Sequence, residues 1–196
     1  MSVDNDDGQR ISIKLCILGA PGVGKTSLRR NFMGQNFLLS YATTLGVDFA
    51  NKKVELDSNT TINLQIWDLA GQMNYINVTR SFLGHTNAAL VVFDSTNPST
   101  FDHIKAWLKI LHDSNVDNVA NIPFMILMNK VDLLEEEKDL SEFNSEEYVR
   151  YLKDYESLNR ENTKFIPTSA KTGKNVDFAF ETLSRIVKDI IEKDSR

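Results

Sequence analysis

Residues 19–26 read Gly-Ala-Pro-Gly-Val-Gly-Lys-Thr, a G-x-x-x-x-G-K-T segment placed between residues 10–18, which read as a strand, and a helix-forming stretch. Strand, glycine loop and helix in that order make this a phosphate-binding loop, and the context constrains the fold more than any other feature of the chain. The glycines let the backbone curl so that successive N–H groups, from Gly22 and Val23 through Gly24 to Ser27, point inward at a helix N-terminus, whose dipole favours anions. Lys25 supplies a point charge for β- and γ-phosphates, and the Thr26 hydroxyl can ligate Mg²⁺. A chance match to such a pattern in a chain of this length is about 1% or less.

The chain has 196 residues, 41% apolar and 25% charged, the composition of a globular protein of one ordinary domain. No apolar stretch approaches the roughly 18–20 residues of a membrane span. The acidic start MSVDNDDGQR has no apolar core of a signal peptide. Cys16, the single cysteine, excludes an internal disulfide and a cysteine-based zinc site, so the expected location is cytoplasmic. The three histidines, His85, His103 and His112, are too scattered for a metal site. A net charge of −5 argues against a nucleic-acid binder. That acidity is local: residues 133–162 carry ten acidic and four basic side chains and read as a solvated surface loop and helix.

Residues 1–10 read as a disordered tail and 193–196 as a frayed end, leaving one domain over 11–192. Ala88–Asp94 and residues 122–128 are almost continuously apolar, as expected of parallel strands covered on both faces. Residues 60–67 alternate, with Ile62, Leu64 and Ile66 on one face, and pair with residues 47–56 across the turn Asp57-Ser58-Asn59 as an antiparallel hairpin. Phe101, Ile104, Leu108 and Leu111 form a helical stripe with Ser99 or Thr100 as N-cap. Asn175 is placed to cap a last helix with the stripe Phe180, Leu183, Val187 and Ile190. Another helix is expected from Ser145, with Tyr148, Leu152 and Tyr155 inward. The alternation implies a doubly wound α/β sheet with its ligand beyond the strand C-termini.

Three more motifs fall at that edge. Asp68-Leu69-Ala70-Gly71-Gln72 follows the alternating strand: Asp68 suits a Mg²⁺ shell, the Gly71 N–H a γ-phosphate, and Gln72 an attacking water. Asn129-Lys130-Val131-Asp132 follows the strand 122–128, where a carboxylate can accept from guanine N1–H and the 2-amino group, a donor pair adenine lacks. A site built around such a pair rejects the wrong base strongly. Thr168-Ser169-Ala170-Lys171 follows Lys164–Pro167, and its backbone can offer an N–H to guanine O6.

Taken together, GAPGVGKT, TLGVDF, WDLAGQ, NKVD and TSAK, in that order, resemble the five nucleotide motifs of the Ras superfamily, and TLGVDF, WDLAGQ and FDSTNPSTFDHIKAWL are most similar to Rab. The likeness spans roughly residues 10–192. It implies a Ras-like P-loop NTPase, α/β, with a six-stranded mostly parallel sheet and helices on both faces, that binds GTP/GDP with Mg²⁺ and slowly hydrolyses GTP as a switch in vesicle traffic. By position, Thr26 and Thr44 would ligate Mg²⁺ and Asp68 would act through water. Phe37 would pack edge-on to guanine and Tyr41 would cover the phosphates. Asn129, Lys130 and Asp132 with Ser169, Ala170 and Lys171 would form the base pocket, and Lys25 and Gln72 would carry catalysis. Arg29 and Arg30, in the first helix, are expected at the surface. Exchange factors, GTPase-activating proteins (GAPs) and effectors are the implied partners.

The departures from Rab are informative. Pro21 stands where relatives carry Gly or a small polar residue, either as a tolerated stiffener or as an obstacle to an incoming arginine finger. Met73 and Asn74 replace Glu-Arg, leaving a second switch rich in apolar residues, of which Val78 and Phe82 are expected inward. Phe49 and Trp67 match the Rab effector patch, with Leu83 in place of the third aromatic, which suggests a GTP-dependent docking site on these three. Rab chains end in prenylated cysteines, whereas this sequence ends EKDSR. The alternatives are a removed tail, peripheral attachment through partners, or none. A GTP-gated effector-binding module with negligible hydrolysis is the rival function, and an ATP-using P-loop enzyme a more distant one.

Overall fold

A computed structural model describes residues 9–38, 44, 46–72, 76–115, 122–134 and 164–194. Among these residues are six strands: β1 (Gln9–Gly19), β2 (Val47–Asp57), β3 (Thr60–Leu69), β4 (Ala88–Asp94), β5 (Phe124–Asn129) and β6 (Lys164–Pro167). The helices among the described residues are α1 (Lys25–Phe32), α2 (Ile76–Leu83), α3 (His103–Asp113) and α4 (Val176–Asp194). The sheet order is β2-β3-β1-β4-β5-β6, and only β2 with β3 is antiparallel. The expected hairpin therefore sits on the edge of a parallel sheet.

Alternation along β1 explains the layers. Ile11, Ile13, Leu15 and Ile17 face a core shared with Leu28 and Phe32 of α1 and Phe180, Leu183 and Val187 of α4. Cys16 and Leu18 face the opposite core, with Ile104, Trp107, Leu108 and Leu111 of α3. Both faces of β4 and β5 are buried, which is why those strands show no polar alternation. Phe32 stacks on Phe180 at 4.0 Å between ring centroids, joining α1 to α4.

Several boundaries differ from the sequence reading for local reasons. β5 starts at Phe124, because Pro123 has no N–H to donate and contributes only its carbonyl, to Ala89 N–H at 3.1 Å. β3 runs on to Leu69, so Asp68 lies inside the strand. β1 begins at Gln9 and α4 reaches Asp194, each entering a stretch read as terminal. Neither expected side-chain cap forms, although Asn175 does hold the N-cap position of α4, its carbonyl accepting from Ala179 N–H at 3.1 Å. Thr100 lies in a 3₁₀ turn, where its hydroxyl accepts from Asp94 N–H (2.9 Å) and donates to the Asn97 carbonyl (2.7 Å). Asn175 has a left-handed φ of 56° and its amide donates to the Pro167 carbonyl at 2.8 Å, fastening the loop to β6. The helix expected from Ser145, with Tyr148, Leu152, Tyr155 and nearly all of the acidic segment, lies outside the described residues, as do Tyr41, Met73 and Asn74.

Candidate functional site

The C-terminal ends of β1, β3, β5 and β6 open onto one cavity of about 390 Å³, within the usual size of a small-molecule pocket. Among its lining residues are Gly22, Gly24, Lys25, Thr26, Ser27, Phe37, Thr44, Gly71, Gln72, Asn129, Lys130, Asp132, Ala170 and Lys171, segments far apart in sequence. Of the other expected residues, Val23 is buried in the core, while Ser169 and Asp68 are buried behind the wall and act on lining residues. Pro21, Arg30, Leu38 and Leu133 also line the cavity, although no motif marked Arg30, Leu38 or Leu133.

The loop's glycines are needed at two places. At Gly19 (φ 142°) a Cβ would run into the Val92 carbonyl oxygen, because β1 and β4 are in register there. At Gly24 (φ 98°) it would strike the Asn129 amide. That amide is a brace: its nitrogen donates to the Val23 carbonyl (2.8 Å), and its oxygen accepts from Ala170 N–H (3.1 Å) and the Thr168 hydroxyl (3.3 Å). One buried side chain therefore ties the phosphate loop to the TSAK loop. With Thr168, Ser169, Ala170 and Thr172 N–H groups all paired within the protein, Lys171 keeps the backbone N–H in this loop that has no acceptor among the described residues.

Lys130 adopts a left-handed φ of 69°, a costly conformation for a side-chain-bearing residue. Its ammonium is fixed by Asp94 at 2.6 Å. Burial raises the Asp94 pKa, but Lys130 and the Thr96 hydrogen bonds outweigh it and hold the carboxyl below its usual range. Asp132 accepts from the Ser169 hydroxyl at 2.6 Å, which orients the carboxylate.

At the phosphate-loop end, Lys25 Nζ donates to the Gly19 and Ala20 carbonyls at 2.9 and 2.8 Å. Burial pushes its pKa down to about 8, with Asp68 opposing. Gly71 packs against the same place: an added Cβ would lie 2.5 Å from Lys25 Nζ and 2.6 Å from the Ala20 carbonyl carbon. The Thr26 hydroxyl donates to Asp68 Oδ2 at 2.5 Å and lies 2.9 Å from the Thr44 hydroxyl. Asp68 Oδ1 is buried without a hydrogen-bond partner among the described residues. Burial raises the Asp68 pKa, opposed by Thr26, Lys25 and Arg29, while Asp48 raises it further. Two hydroxyls and a carboxylate with an unused oxygen form an all-oxygen set that suits a small hard divalent cation.

Two surface expectations change. Arg29 is 7% exposed and belongs to the buried stripe Lys25, Leu28, Arg29 and Phe32. Spacing of i, i+3, i+4 and i+7 along α1 was the signal available for it. In the apolar patch, Leu83 is fully buried under α2 and cannot take part in docking. Phe82, expected inward, packs half-buried against the core on the α3 side and reaches Trp67, with ring centroids 5.9 Å apart, and Phe49 meets Trp67 edge-on at 5.1 Å. Val78, expected inward, is 49% exposed.

The family described as Ras family matches residues 14–189. The "Ypt/Rab-type GTPase YPT7" of Saccharomyces cerevisiae is 36% identical over 174 residues, 88% of this chain and 80% of that protein. Human "Ras-related protein Rab-37" is 38% identical over 177 residues, 89% of this chain and 73% of its own length. "Ras-related protein Rab-1" of Theileria parva is 36% identical, with 90% and 74% covered.

Proposed function

The chain belongs to the Ras family, with Rab-named relatives, and we propose that it is a guanine-nucleotide switch that hydrolyses GTP and acts in membrane traffic. The observation carrying this reading is convergence: the phosphate loop, Gly71-Gln72, Asn129 to Asp132 and Ala170-Lys171 meet at a single cavity. The rival, a binding module without turnover, is not favoured by a relative named as a GTPase.

Asp132, oriented by Ser169, would accept from the guanine N1–H and 2-amino group, and the Lys171 N–H would meet O6. Phe37 would pack against the base. Lys25 and the N–H groups of the loop would hold the phosphates. Thr26 and Thr44 would ligate Mg²⁺, with Asp68 one water further out; the cation, when bound, would offset charge on the β- and γ-phosphate oxygens. Gln72 would orient the attacking water while Gly71 N–H meets the γ-phosphate. The chain's contribution is positioning and preorganised charge. Loss of the γ-phosphate would release the contacts at Thr44 and Gly71, which is how hydrolysis becomes a conformational signal. Exchange factors, GAPs and effectors would read that signal, the effectors on the apolar surface of Phe49, Trp67, Phe82 and Val78. Among the described residues no helix is long and apolar enough to cross a membrane, and peripheral attachment would go through partners or a lipidated tail.

Base choice provides the test. Unlabelled GDP and GTP should displace a fluorescent GDP stoichiometrically, and ATP should not at about a thousandfold excess, since the half-buried Asp132 carboxylate facing adenine is left without its donor pair. Competition by ATP at equal concentration would contradict the reading.

A further inference from the structure

Asp48 and Asp68 stand directly opposite each other in the antiparallel register of β2 and β3. Like charges in that relation repel. The side chain between them comes from a third element: Arg29 of α1 hydrogen-bonds through Nη2 to Asp48 Oδ2, and its Nε lies 3.8 Å from Asp68 Oδ2. Nε itself is buried with no hydrogen-bond acceptor among the described residues, so the guanidinium is held by charge from two sides. Asp48 is half exposed and Asp68 fully buried, which makes the Asp68 side the poorly screened one. Asp68 Oδ2 also receives the Thr26 hydroxyl, so Arg29 borders the oxygen set described above at its carboxylate.

We propose that Arg29 is a built-in countercharge to Asp68, one that weakens the hold on magnesium and so raises the magnesium concentration at which nucleotide is retained. The inference rests on the proposed nucleotide-binding function and deepens it. With Arg29 in place, the pair of carboxylates carries one net negative charge; without it, two, and a divalent cation nearby is held more tightly. Asp48 acts oppositely, because it neutralises part of the guanidinium. A merely structural arginine gives the other sign, since a loosened Asp68 would raise the magnesium needed.

The readout is release of a fluorescent GDP from the full chain across a magnesium titration, taken as the concentration that half-protects the complex. Arg29→Met should lower that concentration roughly fivefold to tenfold, less than the bare Coulomb limit because Asp48 already compensates part of the charge. Asp48→Asn should raise it severalfold, and Arg29→Lys, which keeps the charge, should stay within about twofold of wild type. If Arg29→Met does not fold, Asp48→Asn and Arg29→Lys decide alone. An unchanged or raised value in Arg29→Met, or an unchanged value in Asp48→Asn, overturns the inference while leaving nucleotide binding intact. Magnesium-independent release from the wild type overturns the functional reading and this inference with it.

Discussion

Asn129→Ala is the perturbation whose consequence follows most directly from the geometry. The amide makes three short-range contacts, to the Val23 carbonyl, the Ala170 N–H and the Thr168 hydroxyl, and is 1% exposed. Truncation leaves the Val23 carbonyl and Ala170 N–H without these partners, at about 1–3 kcal/mol for each buried group. Thr168 retains a weak alternative, the Met128 carbonyl at 3.5 Å. Water entering from the cavity side relieves part of the penalty, so we take about 3 kcal/mol in total. The phosphate loop and the TSAK loop are otherwise held by separate elements, β1 with α1 and β6 with α4, and the brace sets the distance between phosphate and base sites. Loss of that distance acts on GDP and GTP alike. Competition binding should therefore show both affinities falling by roughly 100-fold, with their ratio unchanged. Affinities within threefold of wild type would refute the brace, and a loss confined to GTP would place the side chain's role at the γ-phosphate instead.

Two further outcomes follow from the phosphate-loop end. Gly71→Ala should selectively weaken GTP by about tenfold or more over GDP, because the new Cβ meets, besides Lys25 Nζ, the Ala20 and Pro21 backbone, which cannot yield; equal affinities in competition binding would contradict this. Lys25, buried with a pKa near 8, binds its proton less well in the folded, nucleotide-free protein than in the unfolded chain, whose value is 10.5. Between about pH 8 and 10.5 the unfolded state holds more protons, so stability rises with pH, by about 3 kcal/mol across that window. Cys16, pushed up to about 11 by burial from 9.0, gives the opposite slope over its own window in wild type and variant alike. Denaturant unfolding of wild type minus Lys25→Met should isolate the Lys25 slope, and parallel curves would refute it.

Most of this fold was legible because its signals are local. Continuous apolar runs gave β4 and β5, period-two alternation gave β3, and glycine-lysine spacing gave the loop at the end of β1. The motifs were legible for the same reason, each being a contiguous string. What the sequence hid were partnerships across elements. Arg29 looks like a surface residue until its place on the buried face of α1 is set against the register that opposes Asp48 to Asp68. Asn129 reads as a base-contacting residue, yet its hydrogen bonds run to Val23, Thr168 and Ala170, which no string links. Leu83 and Phe82 are adjacent and similarly apolar, and only the rotation of α2 buries one and leaves the other beside Trp67. Thr100 and Asn175 are good capping residues by type, but the strand ends β4 and β6 offered them other partners.

The central claim is that this cavity turns over GTP with Gln72 aligning the water. Single-turnover phosphate release from the GTP-loaded protein, beside its Gln72→Leu variant, tests it most directly. Slow but measurable release is expected from the wild type, and release at least about tenfold slower from the variant, which keeps the volume but loses the amide's carbonyl and amino groups. Equal rates in the two proteins, with GTP still tightly bound, would contradict it.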